Sequence, residues 1–262
     1  MRPVFVVGDV HGHRDVLVAL LRDAGLVDAT ECWAGADAVV WLLGDLVDRG
    51  PDGLGTVDLV RRLEEESVGN VRCLLGNHET NLLSVHLIGG EETGFPGMTF
   101  ADVWRANGGL ERDLAGLTPE HVDWITRRPA VAVEGEWLVL HADSDAYLRY
   151  GETVDAINAS VSSVLRSGAP VALEGLLDAL SDRLRLHHPA VVDRLLATLG
   201  GSRIVHGHTP IASVLGVDPR AVTTPLPYGD GRVLNVDHCL FGGGPGFVTR
   251  LDVGALTPER TA

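Results

Sequence analysis

The sequence predicts a layered α/β sandwich with mixed sheets and a helical insertion, and three observations carry that expectation. Short apolar, β-branched runs ending in a polar residue recur along the 262 residues, as strands buried on both faces do. The first three runs are each followed by an amphipathic helical pattern, the repeated βα order of layered α/β folds. Two long stretches carry a helical pattern and no strand signal. Hydrophobic residues make up 45% of the chain and charged residues 22%, a composition that can bury a core.

In chain order, a strand at 4–9 precedes a helix at 14–26, a strand at 38–45 a helix at 54–66, and a strand at 71–77 a helix at 79–88. Residues 100–128 read as helical, with Thr118, Pro119 and Glu120 as a helix start. Residues 131–133 and 137–140 flank Glu134, Gly135 and Glu136 as a hairpin would, so the sheet is expected to be mixed. Residues 152–199 read as helical, broken at 168–170 and near Pro189. Strands at 204–208 and 233–237 follow, and the glycine-rich residues 242–246 read as a loop beside the site. We expect a single domain over 1–262, with the segments at about 100–128 and 152–199 covering the sheet or the site.

Charge and composition exclude several functions. With 21 basic and 36 acidic residues the formal charge is −15, which repels a phosphate backbone and argues against nucleic acid as a partner. Every basic residue is Arg, so no mechanism that needs a lysine is available. Cys32, Cys73 and Cys239 are too widely spaced for a disulfide framework, which points to a reducing compartment, with cytoplasm as the expected location. The apolar runs are too short for a signal-peptide core or a membrane span, so no membrane is expected as partner.

The residues that end the strands carry the chemistry. Gly8-Asp9-Val10-His11-Gly12 follows the first, Gly44-Asp45-Leu46-Val47-Asp48-Arg49-Gly50 the second and Gly76-Asn77-His78-Glu79 the third. His141 ends a later strand, and Gly207-His208-Thr209-Pro210 another. Groups just beyond the carboxyl ends of adjacent strands converge on one crevice. One Asp at such a turn is explained by helix capping, but Asn and His ending further strands are not. Buried carboxylates and imidazoles gathered without a counter-charge are unstable, so the cluster implies cations. Oxygen and nitrogen ligands without thiolate suit two divalent ions, Mn first, with Fe, Zn, Ni or Co as alternatives.

These motifs, in this order across residues 8 to 208, resemble the calcineurin-like metallophosphoesterases, in particular their phosphoprotein phosphatase (serine/threonine phosphatase-like) branch. The resemblance implies a four-layer α/β/β/α sandwich and a dinuclear centre in which Asp9 and His11 hold one ion, Asp45 bridges, and Asn77, His141 and His208 hold the other. Pro210 stands where other branches carry a further His. The implied reaction is attack on phosphorus by a metal-activated water. In it His78 is the general acid, Asp48 holds its other ring nitrogen, and Arg49 clamps the phosphate. A second phosphate-binding Arg has no motif match; Arg149, soon after His141, is the candidate and Arg166 the next. Asp143, where the family commonly has Gly, departs from the pattern and would bring an extra carboxylate near the second ion. His238 reads equally as a substrate contact or a loop residue.

The first functional reading is a phosphomonoesterase acting on phosphoserine or phosphothreonine in proteins, with a phosphorylated protein or small phosphoester as partner. The alternative is a hydrolase of dinucleoside polyphosphates, for which Tyr147, Tyr150 and Tyr228 are candidates to stack on a base. The third, of another class, is a noncatalytic metal-binding scaffold.

Overall fold

The computed structural model describes residues 2–251. In chain order the elements are β1 (Val4–Val7), α1 (Arg14–Asp23), β2 (Val39–Leu42), α2 (Gly53–Glu66), β3 (Val71–Cys73), α3 (Asn77–Ile88), α4 (Phe100–Ala106), α5 (Glu111–Gly116) and α6 (Pro119–Thr126). There follow β4 (Val131–Glu134), β5 (Trp137–Leu140), α7 (Val154–Ser167), α8 (Pro170–Ser181), α9 (Pro189–Leu199), β6 (Arg203–His206), α10 (Ile211–Leu215), β7 (Leu226–Tyr228), β8 (Val233–Asn235) and β9 (Thr249–Arg250). One sheet runs β3-β2-β1-β9 and the other β4-β5-β6-β8-β7. Both are mixed: β1, β2 and β3 are parallel with β9 antiparallel, while β5, β6 and β8 are parallel with β4 and β7 antiparallel.

Side-chain alternation along the strands produces four layers. Val6, Val39, Trp41, Val139, Val205 and Leu234 join one apolar cluster. Their neighbours Val7, Val40, Leu42, Leu138, Ile204 and Val233 join a second cluster with Leu17, Val57, Leu83, Ile157 and Leu195 of the helices. Each strand therefore packs one face on the opposite sheet and the other on helices, which is why its sequence shows an apolar run and no alternation.

The hairpin falls where its pattern predicts, with Glu134 opposite Trp137. Thr118 caps α6, its hydroxyl accepting from the His121 N–H. The stretch at 100–128 is three short helices, because Gly108 at φ +93° turns the chain left-handed after α4 and Leu117 is extended after α5. The stretch at 152–199 breaks at Gly168 and before Pro189, as expected. Among the described residues no helix is long and apolar enough to cross a membrane.

What positions the site is the direction of the strands. The loops beyond the carboxyl ends of β1, β2 and β3 meet those beyond β5, β6 and β8 at one edge of the sandwich. Two hydrogen bonds fasten the meeting: the His208 N–H donates to Asp9 Oδ1 at 2.9 Å, and His141 Nδ1 donates to the Leu43 carbonyl at 2.8 Å.

Candidate metal centre

Asp9, His11, Asp45, Asp48, His78, His141 and His208 are all buried at this edge. Several stand in a backbone region that L-residues rarely adopt: φ is +45° at His11, +53° at Asp45, +66° at Asp48, +65° at Arg49 and +63° at His208. Each such residue costs of order 1–3 kcal/mol and persists only where its surroundings over-determine it. The sharp turns aim the side chains inward and not along the strand. Gly76 shows how close the packing is, since a Cβ there would lie 2.2 Å from Asp45 Oδ1.

Backbone carbonyls fix the imidazoles. His11 Nδ1 donates to the Val47 carbonyl at 3.1 Å, which leaves its Nε2 lone pair 3.7 Å from Asp45 Oδ2 and 4.0 Å from Asp9 Oδ2. With Nδ1 of His141 bound to Leu43, its Nε2 faces Asn77 Oδ1 at 3.0 Å and Asp45 Oδ1 at 3.5 Å. Neither ring nitrogen of His208 has a hydrogen-bond partner, although the residue is only 2% exposed. Burial pushes the His11, His141 and His208 imidazoles down, with the charge of neighbouring histidines adding to it. Burial thus favours the neutral imidazole, the form that coordinates a metal.

The carboxylates complete an excess of acceptors. Burial, then Asp237 and Asp45, push the Asp9 carboxyl well up. Asp45 is held well below the usual range: burial would raise it, but His141, His78 and His11 outweigh that. Ligand atoms of His11, Asp45 and His78 lie within 4.8 Å of one another, as do those of Asp45, His141 and His208. Two clusters sharing one buried carboxylate, with ring nitrogens facing carboxylate and amide oxygens, suit positive charge between them. The residues present thus fit two cations.

Over this edge lies a cavity of about 390 Å³ lined by Asp45, Arg49, Arg183, His208, Phe241 and others. Arg49 Nη1 donates to His11 Nε2 at 2.8 Å, and its guanidinium lies 4.2 Å above the Phe241 ring. Arg183 donates to the His208 carbonyl.

The model of the calcineurin-like phosphoesterases matches residues 2–212. The chain belongs to the calcineurin-like phosphoesterase family. A symmetrical bis(5'-nucleosyl)-tetraphosphatase of Salmonella paratyphi A is 35% identical over 141 residues, 50% of this chain and 39% of the relative. The chain thus spans about two-fifths of the length of the curated relatives it matches. In fold it is similar to the cold-active protein-tyrosine phosphatase of a Shewanella species (TM-score 0.71, 21% identity, 96% of this chain and 76% of that one). It is likewise similar to a serine/threonine phosphatase of Saccharomyces cerevisiae (TM-score 0.58, 15% identity, 98% and 82%). The phosphoesterase family is dinuclear-metal dependent, in keeping with the two clusters described above.

Several residues singled out in the sequence lie away from this edge or are bonded elsewhere in the structure of this phosphoesterase. Arg149 is exposed and lines a different cavity, of about 800 Å³, with Asp145, Asp178 and Asp182; the guanidinium that reaches the site beside Arg49 is that of Arg183. Arg166 lines a third cavity with Leu83 and Leu117. Asp143 does not offer a free carboxylate: Oδ1 accepts from the Thr209 hydroxyl at 2.5 Å and Oδ2 from the Leu184 N–H at 2.8 Å. It is the tether that returns the helical insertion to the site. Tyr147 is buried with its hydroxyl bound by the Ala142 N–H, Tyr228 bonds His206 and Tyr150 packs on the main core. The aromatic side chain at the cavity is Phe241, 40% exposed. His238 is buried against Phe247, with burial pushing it down to about 4.

Asp237 and Glu79 carry parts that sequence reasoning left unassigned. Asp237 ends the β8 run beside Asp9; its Oδ1 accepts from the Cys239 N–H and its Oδ2 has no partner. Glu79 accepts from the backbone N–H groups of Asp45, Leu46, Val47 and Gly76 at 2.6–3.3 Å, binding the loop after β3 to the loop after β2. Burial, then Asp45, push its carboxyl up to about 7 against those donors. Glu79→Gln puts an NH2 against N–H groups. It is expected to cost about 2–3 kcal/mol, the penalty for buried charged hydrogen bonds left unmade. A denaturant midpoint unchanged from wild type would remove Glu79 from this role.

Proposed function

We propose that this phosphoesterase hydrolyses dinucleoside polyphosphates. The observation that carries the reading is the likeness in sequence, at 35% identity, to relatives named symmetrical bis(5'-nucleosyl)-tetraphosphatase. The likeness to protein phosphatases is one of fold, at 21% and 15% identity, so the protein-substrate reading yields to it. Two guanidiniums and an aromatic ring around one cavity suit a chain of phosphates that carries a base.

In this proposal Asp9 and His11 hold one divalent ion, Asn77, His141 and His208 the other, and Asp45 serves both; the oxygen and nitrogen set suits Mn. Two such ions supply Lewis acidity, lowering the pKa of water from 15.7 towards about 7 and neutralising phosphoryl charge. Arg49, whose Nη1 would leave His11 Nε2 to the ion, and Arg183 would grip the phosphoryl oxygens through their planar forks. As a water oxygen bonds to phosphorus and gives up its proton to solvent, the bond to the leaving oxygen breaks and the electron pair departs with that oxygen. His78 Nε2 delivers a proton there and is reprotonated from solvent before the next turnover. Asp48 accepts from His78 Nδ1 at 2.8 Å and so keeps Nε2 aimed at the leaving group. The same reading takes residues 1–262 as one domain, of which Met1 and residues 252–262 lie outside those described.

The test is a panel on Mn-reconstituted protein: diadenosine tetraphosphate, p-nitrophenyl phosphate, and phosphoserine and phosphothreonine peptides. Diadenosine tetraphosphate should give the highest kcat/KM, with ADP as its nucleotide product. A phosphopeptide in first place overturns the reading. Inactivity on all four with both ions bound would support a noncatalytic scaffold.

A further inference from the structure

Beside the clustered ligands, one buried aromatic residue is bonded to the machinery without belonging to any of the strand-end motifs. Trp104 on α4 is fully buried, and its indole Nε1 donates to both oxygens of Asp48, at 3.1 Å to Oδ1 and 3.2 Å to Oδ2. Packing alone would explain a buried tryptophan, but not an indole N–H aimed between the two oxygens of the carboxylate that holds His78. Tryptophan has one donor and no acceptor, so this contact can serve only an acceptor such as Asp48.

The chain after Trp104 continues the grip. The Arg49 N–H donates to the Gly108 carbonyl at 2.9 Å, and Arg49 Nε donates to the Asn107 carbonyl at 3.3 Å. The Gly109 N–H returns to the Trp104 carbonyl at 2.9 Å, and a Cβ on Gly109 would lie 2.2 Å from the indole ring. Residues 104–109 therefore hold the two consecutive left-handed residues Asp48 and Arg49 from outside.

We infer that Trp104 is a positioning residue for proton transfer: it fixes the Asp48 carboxylate, which in turn fixes the tautomer and aim of His78. The inference rests on the reading of His78 as the acid. Asp48 Oδ1 takes its side-chain hydrogen bond from Trp104, so without the indole N–H the carboxylate keeps only its bond to His78 and is less firmly oriented. His78 then spends less time aligned with the leaving oxygen, while the ions and the phosphate grip are untouched.

The test compares phenyl phosphate, whose phenolate needs a proton, with p-nitrophenyl phosphate, whose nitro group already stabilises the departing charge. Trp104→Phe should retain both metal ions by elemental analysis and slow phenyl phosphate roughly 10-fold more than p-nitrophenyl phosphate, the worth of one hydrogen bond to a charged group. In a His78→Asn background it should add nothing to that contrast, because residues acting as one unit are non-additive. Trp124→Phe is the control, since that indole also binds a carboxylate, Glu64 at 2.7 Å, outside the site; it should leave the contrast unchanged. Gly109→Ala, which crowds the indole, should reproduce the Trp104 effect if Trp104→Phe does not fold. Equal slowing of both substrates, or none, overturns the inference. If His78→Asn shows the contrast and Trp104→Phe does not, only the role of Trp104 falls; if His78→Asn shows none, the acid reading falls and this inference with it.

Discussion

Asp45→Asn is expected to strip the protein of both metal ions and to lower kcat/KM on the order of a thousandfold or more, since metal Lewis acidity supplies several kcal/mol of transition-state stabilisation. The expectation follows from where the carboxylate stands. Asp45 Oδ2 is 3.7 Å from His11 Nε2, and Oδ1 is 3.5 Å from His141 Nε2, so it is the one carboxylate common to both clusters. The substitution keeps the shape and removes the shared charge, leaving Asp9 as the only carboxylate ligand, with imidazoles and amide oxygens, against two dications. Asp9→Asn, on the His11 side alone, should empty one position and leave the other filled. Elemental analysis after dialysis reads this directly: two ions per chain for wild type, about one for Asp9→Asn and fewer for Asp45→Asn. Two ions retained in Asp45→Asn would remove it from the shared position.

The proposed ligand cluster was legible in the sequence because its members follow buried strands, and all but His141 sit within two residues of a glycine there. Strand direction then does the rest, gathering Asp9, Asp45, Asn77, His141 and His208 at one edge. Residues supplied by the helical insertion were not legible. Arg149 is eight positions after His141, but the chain turns outward there through a short 3-10 helix at Ala146–Arg149. Arg183 comes much later, beyond two helices, and reaches the site because the Asp143 carboxylate binds the Leu184 N–H. Nothing local to Arg183 marks that return; it depends on a contact between residues 41 positions apart. Trp104 was hidden differently, since an indole on an amphipathic helix carries the same sequence signal whether its N–H is used or not. Asp237 did end a strand-like run, and that signal was available without a role being drawn from it.

His78→Asn separates a ligand from a proton donor. His78 shares a cluster with His11 and Asp45, and its Nε2 lies 4.0 Å from Asp45 Oδ2, so proximity alone permits coordination. Its Nδ1, however, is committed to Asp48 at 2.8 Å, an arrangement that orients Nε2 for proton delivery as well as for a metal. If His78 is the acid, the variant keeps both ions and loses about 100- to 10,000-fold in kcat/KM on phenyl phosphate, the usual worth of a general acid. The loss on p-nitrophenyl phosphate should be visibly smaller. Diadenosine tetraphosphate should follow the activated ester, because its leaving group is a nucleoside diphosphate whose terminal oxygen has a pKa of about 6 and departs without much help. The ordering across three substrates therefore ties the role of one imidazole to the proposed substrate. Loss of the ions, or an equal loss on all three substrates, would make His78 a ligand or a phosphate contact and leave the leaving oxygen to be protonated by water.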